Sequence, residues 1–429
     1  MPADTSRPFV ILTTAVAGLG HLRVTRALRD ALPAKVSSIE IPAKDTWLTM
    51  FHNVMSNNSL LRKIFEYTQD TPQLEDAFTW ITRQGLHLTS SRVRRLIVDT
   101  VRESKKNPTS VVIACSHFML AESVGVEKQA IEAELGIPVR LVVQITDDTT
   151  QHIWYVTGAD LLVAPSVHVA SSLHAYGVAH HMADTPISVL PYPINPLFSK
   201  PLNPGPHERL AEYEGKAPLK LVIPVSGAAA GLSYLTDLAI HISNSHDAIH
   251  TTIVGQATLR LKSTRRQLLR AKNIKCICAK SEDDVITAYE NYYKENVVGA
   301  EVTKPSEQAF KVLARHDQVG GSILFLTHPV GRQEYENLEF LFRNRFIPTP
   351  SERRELFALA RYHQTPSTAI RRQARYWRGL QLPPIPKEAA SFIHWCLETK
   401  LLADIGLVTR KAPSLQPYGA KEFWDIALN

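Results

Sequence analysis

The 429-residue sequence predicts two α/β domains, each built on a doubly wound parallel sheet. Short apolar runs rich in β-branched residues alternate with segments of helical periodicity, as in parallel sheets covered on both faces. The chain is also longer than one compact core usually allows. A proline-rich stretch without periodicity, LFSKPLNPGPHE at 197–208, separates two series of apolar runs. We therefore expect a first domain at 1–196, a linker at 197–216, a second domain at 217–350 and a helical tail at 351–429.

Each predicted strand is an apolar run bounded by turn residues. In the first domain these runs lie at 8–14, 36–41, 110–115, 139–145, 160–165 and 187–193, and in the second at 219–225, 249–255, 274–278, 297–303 and 321–328. Helical periodicity at 45–107 predicts a helical insertion in the first domain. Its apolar residues stand beside basic ones, which fits either an interfacial amphipathic surface or a helical cap packed against the domain.

Composition narrows the range of partners and compartments. The formal net charge of +7 favours an anionic partner, such as a nucleotide or a phospholipid surface. The basic clusters at 260–272 and 369–378 accompany no nucleic-acid-binding module, so we expect no nucleic acid. Four cysteines are too few for a disulfide framework, and residues 1–10 lack a signal-peptide pattern. These features predict a cytoplasmic protein.

The stretch GLGHLRVTRAL at 18–28 sets two glycines and a histidine between a strand and a helix. Gly18 and Gly20 permit a tight turn, and the helix that follows offers its N-terminus to an anion. His21 lies in the first helical turn, away from the apolar stripe. Because an imidazole titrates near neutral pH, we predict His21 as the catalytic base. The alternative is a glycine loop with an incidental histidine.

A second polar group, QITDDTTQHIW at 144–154, follows a predicted strand. Asp147 is the fallback base or the group that orients it. Asp148 either faces the acceptor or caps the next helix. The carboxyl ends of the strands in such domains open on crevices where ligands bind. We therefore assign His117, Asp148 and Trp154 to an acceptor cleft, and we expect no metal site.

The second domain carries two further polar regions at strand ends. In PVSGAAAG at 224–231, small residues leave room for a diphosphate at a helix N-terminus, or else only allow close packing. In the segments 302–310 and 326–337, Glu307 is suited to the hydroxyls of a ribose and Lys304 to a phosphate. The predicted donor-binding residues are Gly18, Gly20, Ser226, Gly227, Gly255, Lys304, Ser306, Glu307, Gln333, Glu334 and Asn337.

Five segments, taken in order, carry a family resemblance. They are GLGHLRVTRAL, ITDDTTQHIWYVTGADLLVAPS, VLPYPINPLF, VTKPSEQAF and FLTHPVGRQEYENLEFLFRNRF. They resemble the monogalactosyldiacylglycerol synthases and the lipid-linked N-acetylglucosaminyl transferase of peptidoglycan synthesis over most of residues 9–350. The resemblance implies the GT-B fold of two Rossmann-like domains. It also implies inverting transfer of a sugar from a UDP donor to a hydroxyl acceptor, which is a lipid in those families. Helix N-termini at Ser226–Gly227 and near Glu334, with Lys304, suit a diphosphate without a divalent metal, so we expect the transfer to be metal-independent.

The same resemblance assigns roles to single residues. It makes His21 the catalytic residue, matches Asp147 to the acidic residue of a T-D motif, and matches Glu307 to the glutamate that binds the ribose. It places Gln333, Glu334 and Asn337 beside the donor sugar and phosphates. The expected partners are a nucleotide sugar as co-substrate, a hydroxyl acceptor and a peripheral membrane contact, with no separate cofactor.

This sequence departs from the family in two places. The stretch from Thr303 to Glu307 is compact where the family has a glycine-rich loop, and PVSGAAAG is poorer in glycine than the corresponding turn. Fewer backbone amides are then available to a diphosphate. Two other functions therefore stay open: a nucleotide-sugar epimerase, and a catalytically inactive nucleotide-sugar-binding protein on the same fold.

Overall fold

The computed structural model describes residues 8–15, 19–43, 71–225, 231–257, 268, 271–407 and 415–429. The chain divides into two compact units, Met1–Asn195 with Tyr418–Asn429, and Pro196–Pro417. Among the described residues each unit contains a six-stranded parallel sheet flanked by helices, which confirms the predicted α/β architecture. In this part of the chain no helix is both long and apolar enough to cross a membrane. The predicted site residues Gly18, Ser226 and Gly227, and the apolar residues of 47–65, lie outside the described residues.

The sheet of the first unit has the strand order β2-β1-β3-β4-β5-β6. Its strands are β1 (Phe9–Ala15), β2 (Ser37–Ala43), β3 (Val111–Cys115), β4 (Val139–Gln144), β5 (Leu161–Ala164) and β6 (Ile187–Val189). Its helices are α1 (Leu19–Ala31), α2 (Pro72–His87), α3 (Ser90–Glu103), α4 (Phe118–Leu135), α5 (Val167–Ala179) and the C-terminal helix of the chain (Gly419–Ala427). Every residue of β3 is buried, as expected for a central strand with helices on both faces.

The sheet of the second unit has the order β12-β11-β10-β7-β8-β9. Its strands are β7 (Leu219–Pro224), β8 (Ile249–Gln256), β9 (Ile274–Ala279), β10 (Ala300–Thr303), β11 (Ile323–Leu326) and β12 (Gly379–Gln381). Its helices are α6 (Pro196–Ser199), α7 (His207–Tyr213), α8 (Leu232–Ser245), α9 (Glu282–Glu295), α10 (Arg332–Arg343), α11 (Pro350–Arg361), α12 (Thr368–Ala374), α13 (Pro386–Glu398) and α14 (Leu401–Gly406). The C-terminal helix Gly419–Ala427 is α15. Capping boxes begin α9 at Ser281 and α11 at Thr349.

Two predicted segments differ from the observed fold. The expected linker 197–216 forms most of α6 and all of α7 and belongs to the second unit. Buried Arg209 fixes it there, because its guanidinium donates to the carbonyls of Val298 at 2.8 Å, Gln318 at 2.8 Å and Val319 at 2.9 Å. The expected helical tail contains β12, and its last helix, α15, belongs to the first unit. There the indole of Trp424 donates to the carbonyl of Leu28 in α1 at 2.7 Å.

A histidine pair joins two helices of the second unit. His246, at the end of α8, stacks on His394 of α13 with ring centroids 3.4 Å apart. Burial, and then the neighbouring His394, lower the pKa of His246 to about 4. Burial also lowers the pKa of His394, whereas Glu398, 3.4 Å away, acts in the opposite direction. In the folded protein both rings therefore take up a proton only at a lower pH than a free histidine does.

This pair predicts a loss of stability in acid. Because both pKa values are lower in the folded state, the contribution is fully present above about pH 6.5 and is lost as the pH falls toward 4. Between pH 7 and 4.5 we expect the free energy of unfolding to fall by about 1 kcal/mol more in the wild type than in the His246→Phe variant. This figure discounts the effect of the pKa shift for solvent screening. Urea titrations at both pH values measure this. Parallel stability curves would contradict the role assigned to the pair.

Candidate functional site

The carboxyl edge of the first sheet gathers polar groups from three adjacent strands. Since β1, β3 and β4 run parallel, the segments that follow them meet at one edge. The start of α1 follows β1, Ser116 and His117 follow β3, and Thr146 lies just beyond β4. These segments bring His21 to Ser116 and Thr146.

The His21 ring is oriented by a backbone carbonyl. Its Nδ1 lies 2.7 Å from the carbonyl oxygen of Ser116, with the hydroxyl of Thr146 at 3.5 Å. A carbonyl oxygen only accepts hydrogen bonds, so Nδ1 carries the proton. In the neutral imidazole the lone pair then resides on Nε2. His21 is half-buried, and this tautomer equips it to accept a proton at Nε2.

Further hydrogen bonds join the residues around the His21 ring. The hydroxyl of Thr25, one turn along α1, lies 2.7 Å from the Ser116 hydroxyl and donates to the His21 carbonyl at 3.0 Å. The Tyr192 hydroxyl donates to the Thr146 carbonyl at 2.8 Å. Sequence reasoning singled out none of these four residues, Thr25, Ser116, Thr146 and Tyr192.

Two predicted acceptor-cleft residues form a buried wall beside His21. The His117 ring meets the His21 ring edge-on with centroids 4.6 Å apart, and the Trp154 ring lies 6.4 Å away. The Phe118 ring stacks on the His117 ring with centroids 4.9 Å apart, and it meets the Trp154 ring edge-on with centroids 5.6 Å apart. Only 4% of His117 and 1% of Trp154 is exposed. These two residues therefore support the His21 ring from within the unit and present little surface to an acceptor.

The two adjacent aspartates occupy different environments. Asp148 is fully buried and accepts a hydrogen bond from Ser166, the residue that caps the N-terminus of α5. Asp148 therefore presents no surface to an acceptor, and Ser166 rather than Asp148 caps α5, so neither role predicted for Asp148 is confirmed. Asp147 is half-buried at the carboxyl edge. Its role as fallback base or orienting group stays a prediction.

In the second unit, the ends of β10 and β11 are tied together by predicted site residues. Lys304 donates to Glu334 Oε1 at 2.5 Å, and the backbone amide of Val330 donates to Glu334 Oε2 at 2.7 Å. Asn337 is fully buried, and its amide donates to the carbonyl of Pro305 at 3.1 Å. Glu334 thus orients the Lys304 ammonium. Asn337 supports the loop from behind, and its predicted place beside the donor stays a prediction.

The other predicted donor-binding residues of this unit lie along the same edge. Glu307 begins the 3-10 helix Glu307–Leu313 and is half-buried, as are Ser306 and Gln333. Gly255 is buried near the carboxyl end of β8. In the first unit, Gly20 lies in the first turn of α1. The structure therefore gathers Lys304, Ser306 and Glu307 on one loop, with Glu334 beside it.

Two helices at this edge begin without a capping side chain. Gly231 precedes α8 with φ +78°, and Gly331 precedes α10 with φ +85°. Residues with a side chain rarely adopt this backbone conformation, which explains glycine at both positions. Helix N-termini carry partial positive charge and attract anions. Together with Lys304 they make this edge suited to a phosphorylated ligand.

The arrangement is chemically asymmetric between the units. The first unit holds an imidazole poised to accept a proton, and the second holds an edge suited to an anion with a carboxylate, Glu307, nearby. Within the described ranges, no group of three or more His, Cys, Asp or Glu side chains is placed to hold a metal ion.

Comparison with solved structures identifies the fold. No protein-family profile and no curated protein matches the chain. The UDP-GlcNAc 2-epimerase from Neisseria meningitidis, solved with UDP-GlcNAc bound, is similar with a TM-score of 0.50 and 8% identity, over 97% of this chain and 98% of that one. MurG from Acinetobacter baumannii is similar with a TM-score of 0.44 and 12% identity, over 98% and 99%. The chain has the two-domain α/β architecture of the GT-B type, as the sequence predicts.

Proposed function

We propose that this protein is an inverting, metal-independent glycosyltransferase that moves a sugar from a UDP donor to a hydroxyl acceptor. The observation that carries the proposal is the hydrogen bond from His21 Nδ1 to the Ser116 carbonyl, because it leaves Nε2 as a base. A protein that only binds a nucleotide sugar has no need of an oriented base. The GT-B fold and the anion-suited edge of the second unit agree with this reaction.

The base acts on the acceptor. As the acceptor oxygen attacks the anomeric carbon of the sugar, its proton passes to His21 Nε2. The new carbon–oxygen bond forms on the face of the sugar opposite the diphosphate. The bond between the anomeric carbon and the diphosphate breaks, and UDP leaves with its electron pair. One displacement of this kind inverts the configuration at that carbon. The rings of His117 and Trp154 pack beside the imidazole and support its orientation.

The leaving group is bound by the second unit. Lys304 supplies an ammonium whose direction is set by Glu334, and the N-termini of α8 and α10 add partial positive charge. These groups stabilise the negative charge that develops on the diphosphate as the bond breaks. The Glu307 carboxylate accepts hydrogen bonds from the ribose hydroxyls and anchors the nucleoside.

The proposed reaction is tested by measuring UDP release from UDP-sugars, with and without a panel of hydroxyl acceptors that includes diacylglycerol. A transferase releases UDP faster when its acceptor is present and yields a glycosylated product. An epimerase would instead give a new UDP-sugar without any acceptor, and an inactive binding protein would bind UDP and give neither product. Either of the last two results contradicts the proposed transfer.

For the acceptor we propose a lipid, reached by peripheral contact with an anionic membrane. Three large apolar side chains on and just after α2 are well exposed: Trp80 at 64%, Ile81 at 62% and Leu88 at 86%. Exposed Arg92 and Arg95 of α3 follow directly. Apolar side chains beside cationic ones suit the interface of a bilayer that contains anionic lipids.

We expect the double variant Trp80→Asp/Ile81→Asp to bind vesicles of phosphatidylglycerol and phosphatidylcholine at least about 10-fold more weakly than the wild type. Removing two exposed apolar side chains and adding two negative charges both weaken contact with an anionic surface. Co-sedimentation measures the binding, and Tyr362→Asp, equally exposed in the second unit, is the matched control. Unchanged vesicle binding by the double variant would refute the membrane contact.

A further inference from the structure

A buried charge network lies directly behind the loop that carries Glu307. Glu301 of β10 is fully buried and forms an ion pair with Lys311, which is 2% exposed. The hydroxyls of Tyr289 and Tyr293, both on α9, donate to Glu301 Oε2 at 2.6 Å. Lys311 also donates to both tyrosine oxygens, at 2.8 Å in the case of Tyr293. Strand, helix and 3-10 turn are thus joined at one point.

Burial keeps the Tyr293 hydroxyl in its donor form. The pKa of Tyr293 is raised well above its usual value, first by burial and then by the negative charge of Glu301. Its hydroxyl also lies 2.9 Å from the hydroxyl of Ser322, just before β11. The Lys311 ammonium lies 4.4 Å from the centroid of the Tyr293 ring and 5.2 Å from that of Phe198. The Lys311 ammonium is therefore bound both by its ion pair with Glu301 and by cation–π contacts with the two rings.

The network clamps the segment that contains the proposed nucleotide contacts. Glu301 stands before Lys304 and Glu307 in the chain, and Lys311 stands after them, one turn along the 3-10 helix. No glycine occurs between Glu301 and Val319, so the loop is not shaped by the special backbone freedom of glycine. The ion pair therefore joins the two ends of the segment from Glu301 to Lys311.

A buried ion pair is an expensive way to gain stability. Removing two charges from water carries a large desolvation cost, and well-packed apolar residues often replace such pairs without loss. The pair at Glu301 and Lys311 is better explained by geometry, because its partners fix where the loop begins and where the 3-10 helix turns. The backbone that carries Lys304 and Glu307 lies between these two fixed points.

We propose that Glu301 and Lys311 are positioning residues for the donor nucleotide, acting through the Glu307 loop and touching no substrate themselves. The inference rests on the proposed function, since it assigns the loop to a UDP-sugar.

The test uses the full-length double variant Glu301→Gln/Lys311→Met, which removes both charges at nearly constant volume. We expect cooperative thermal unfolding to persist, while the Kd for UDP and the KM for the UDP-sugar each rise about 10-fold. We expect kcat to change by less than about 3-fold, because the base in the first unit is untouched. Calorimetry with UDP and steady-state kinetics give these values.

A matched control is available in the same unit. Glu212 and Lys220 form an ion pair at 3.3 Å at the amino end of β7, at the opposite edge of the sheet, so Glu212→Gln/Lys220→Met is expected to leave UDP affinity unchanged. If the first double variant unfolds, Tyr293→Phe keeps both charges, deletes one donor to Glu301 and is expected to weaken UDP binding about 3-fold. If a folded Glu301/Lys311 or Tyr293 variant binds UDP as tightly as the wild type does, this inference is wrong and the proposed function still stands. A wild-type chain without affinity for UDP overturns the proposed function and the inference with it.

Discussion

Replacing His21 with alanine is expected to lower kcat for sugar transfer by about 10²- to 10⁴-fold, the range that a positioned general base contributes. The Kd for UDP should stay within about 2-fold of the wild type, because the proposed nucleotide contacts belong to the second unit. The imidazole is the only group changed, and its Nε2 is the atom that takes the acceptor proton in the proposed reaction. Acceptor-dependent UDP release and calorimetry with UDP give the two values.

Two further experiments test whether the loss is specific to the His21 imidazole. His174→Ala removes an exposed histidine of α5 in the same unit and should leave kcat unchanged. Free imidazole added to the His21→Ala protein should restore part of the rate, since it supplies the missing base. Full activity in His21→Ala would show that another group accepts the proton. Equal losses of kcat and UDP affinity would point to a general disruption of structure instead.

The position of His21 could be predicted from sequence, whereas its partner could not. A histidine at a strand-to-helix junction with glycines is visible in the residue letters, and the parallel order of β1, β3 and β4 places it at the carboxyl edge. The atom that orients it is the backbone carbonyl of Ser116, 95 residues away. Every residue has such a carbonyl, so no residue type marks the contact in advance.

Adjacent polar residues proved harder to separate by sequence. Asp147 and Asp148 share a motif, yet Asp148 is fully buried against Ser166. Which of the two points inward depends on the local backbone after β4, and periodicity ends where the strand ends. Asn337 illustrates the same limit, since its amide turns back to Pro305. Residue type placed polar side chains at these edges, but it did not predict the direction of each side chain.

The fold followed from sequence where apolar runs were long. The run at 110–115 became β3 almost residue for residue, because a strand buried on both faces has no polar alternation to blur it. The three-residue strand β12 carries too few residues for a pattern. Glu301 and Lys311 are charged residues within apolar segments, so residue type alone predicts that they lie at the surface. Their burial is explained only by the tyrosine hydroxyls of α9, which donate to Glu301.

Replacing Glu307 with alanine is expected to weaken UDP binding about 10- to 150-fold, the equivalent of losing about 1.5–3 kcal/mol of hydrogen bonds to a charged group. Glu307 is half-buried at the start of its 3-10 helix, where the proposed ribose hydroxyls would be held by both carboxylate oxygens. Glu307→Gln keeps one acceptor and should lie between the two. Calorimetry with UDP measures the series, and a matching titration with uracil, which has no ribose, isolates the hydroxyl contribution.

Exposed Glu339 of α10 provides the matched control, and Glu339→Ala should bind UDP as the wild type does. The two substitutions remove the same charge from the same unit, so a difference between them reflects a local contact and not the overall field. Because Glu307 is proposed to act in binding, kcat at saturating UDP-sugar should fall far less than affinity does. If Glu307→Ala instead left UDP affinity intact, the carboxylate would not contact the ribose, and the clamp formed by Glu301 and Lys311 would lose the residue it is proposed to position.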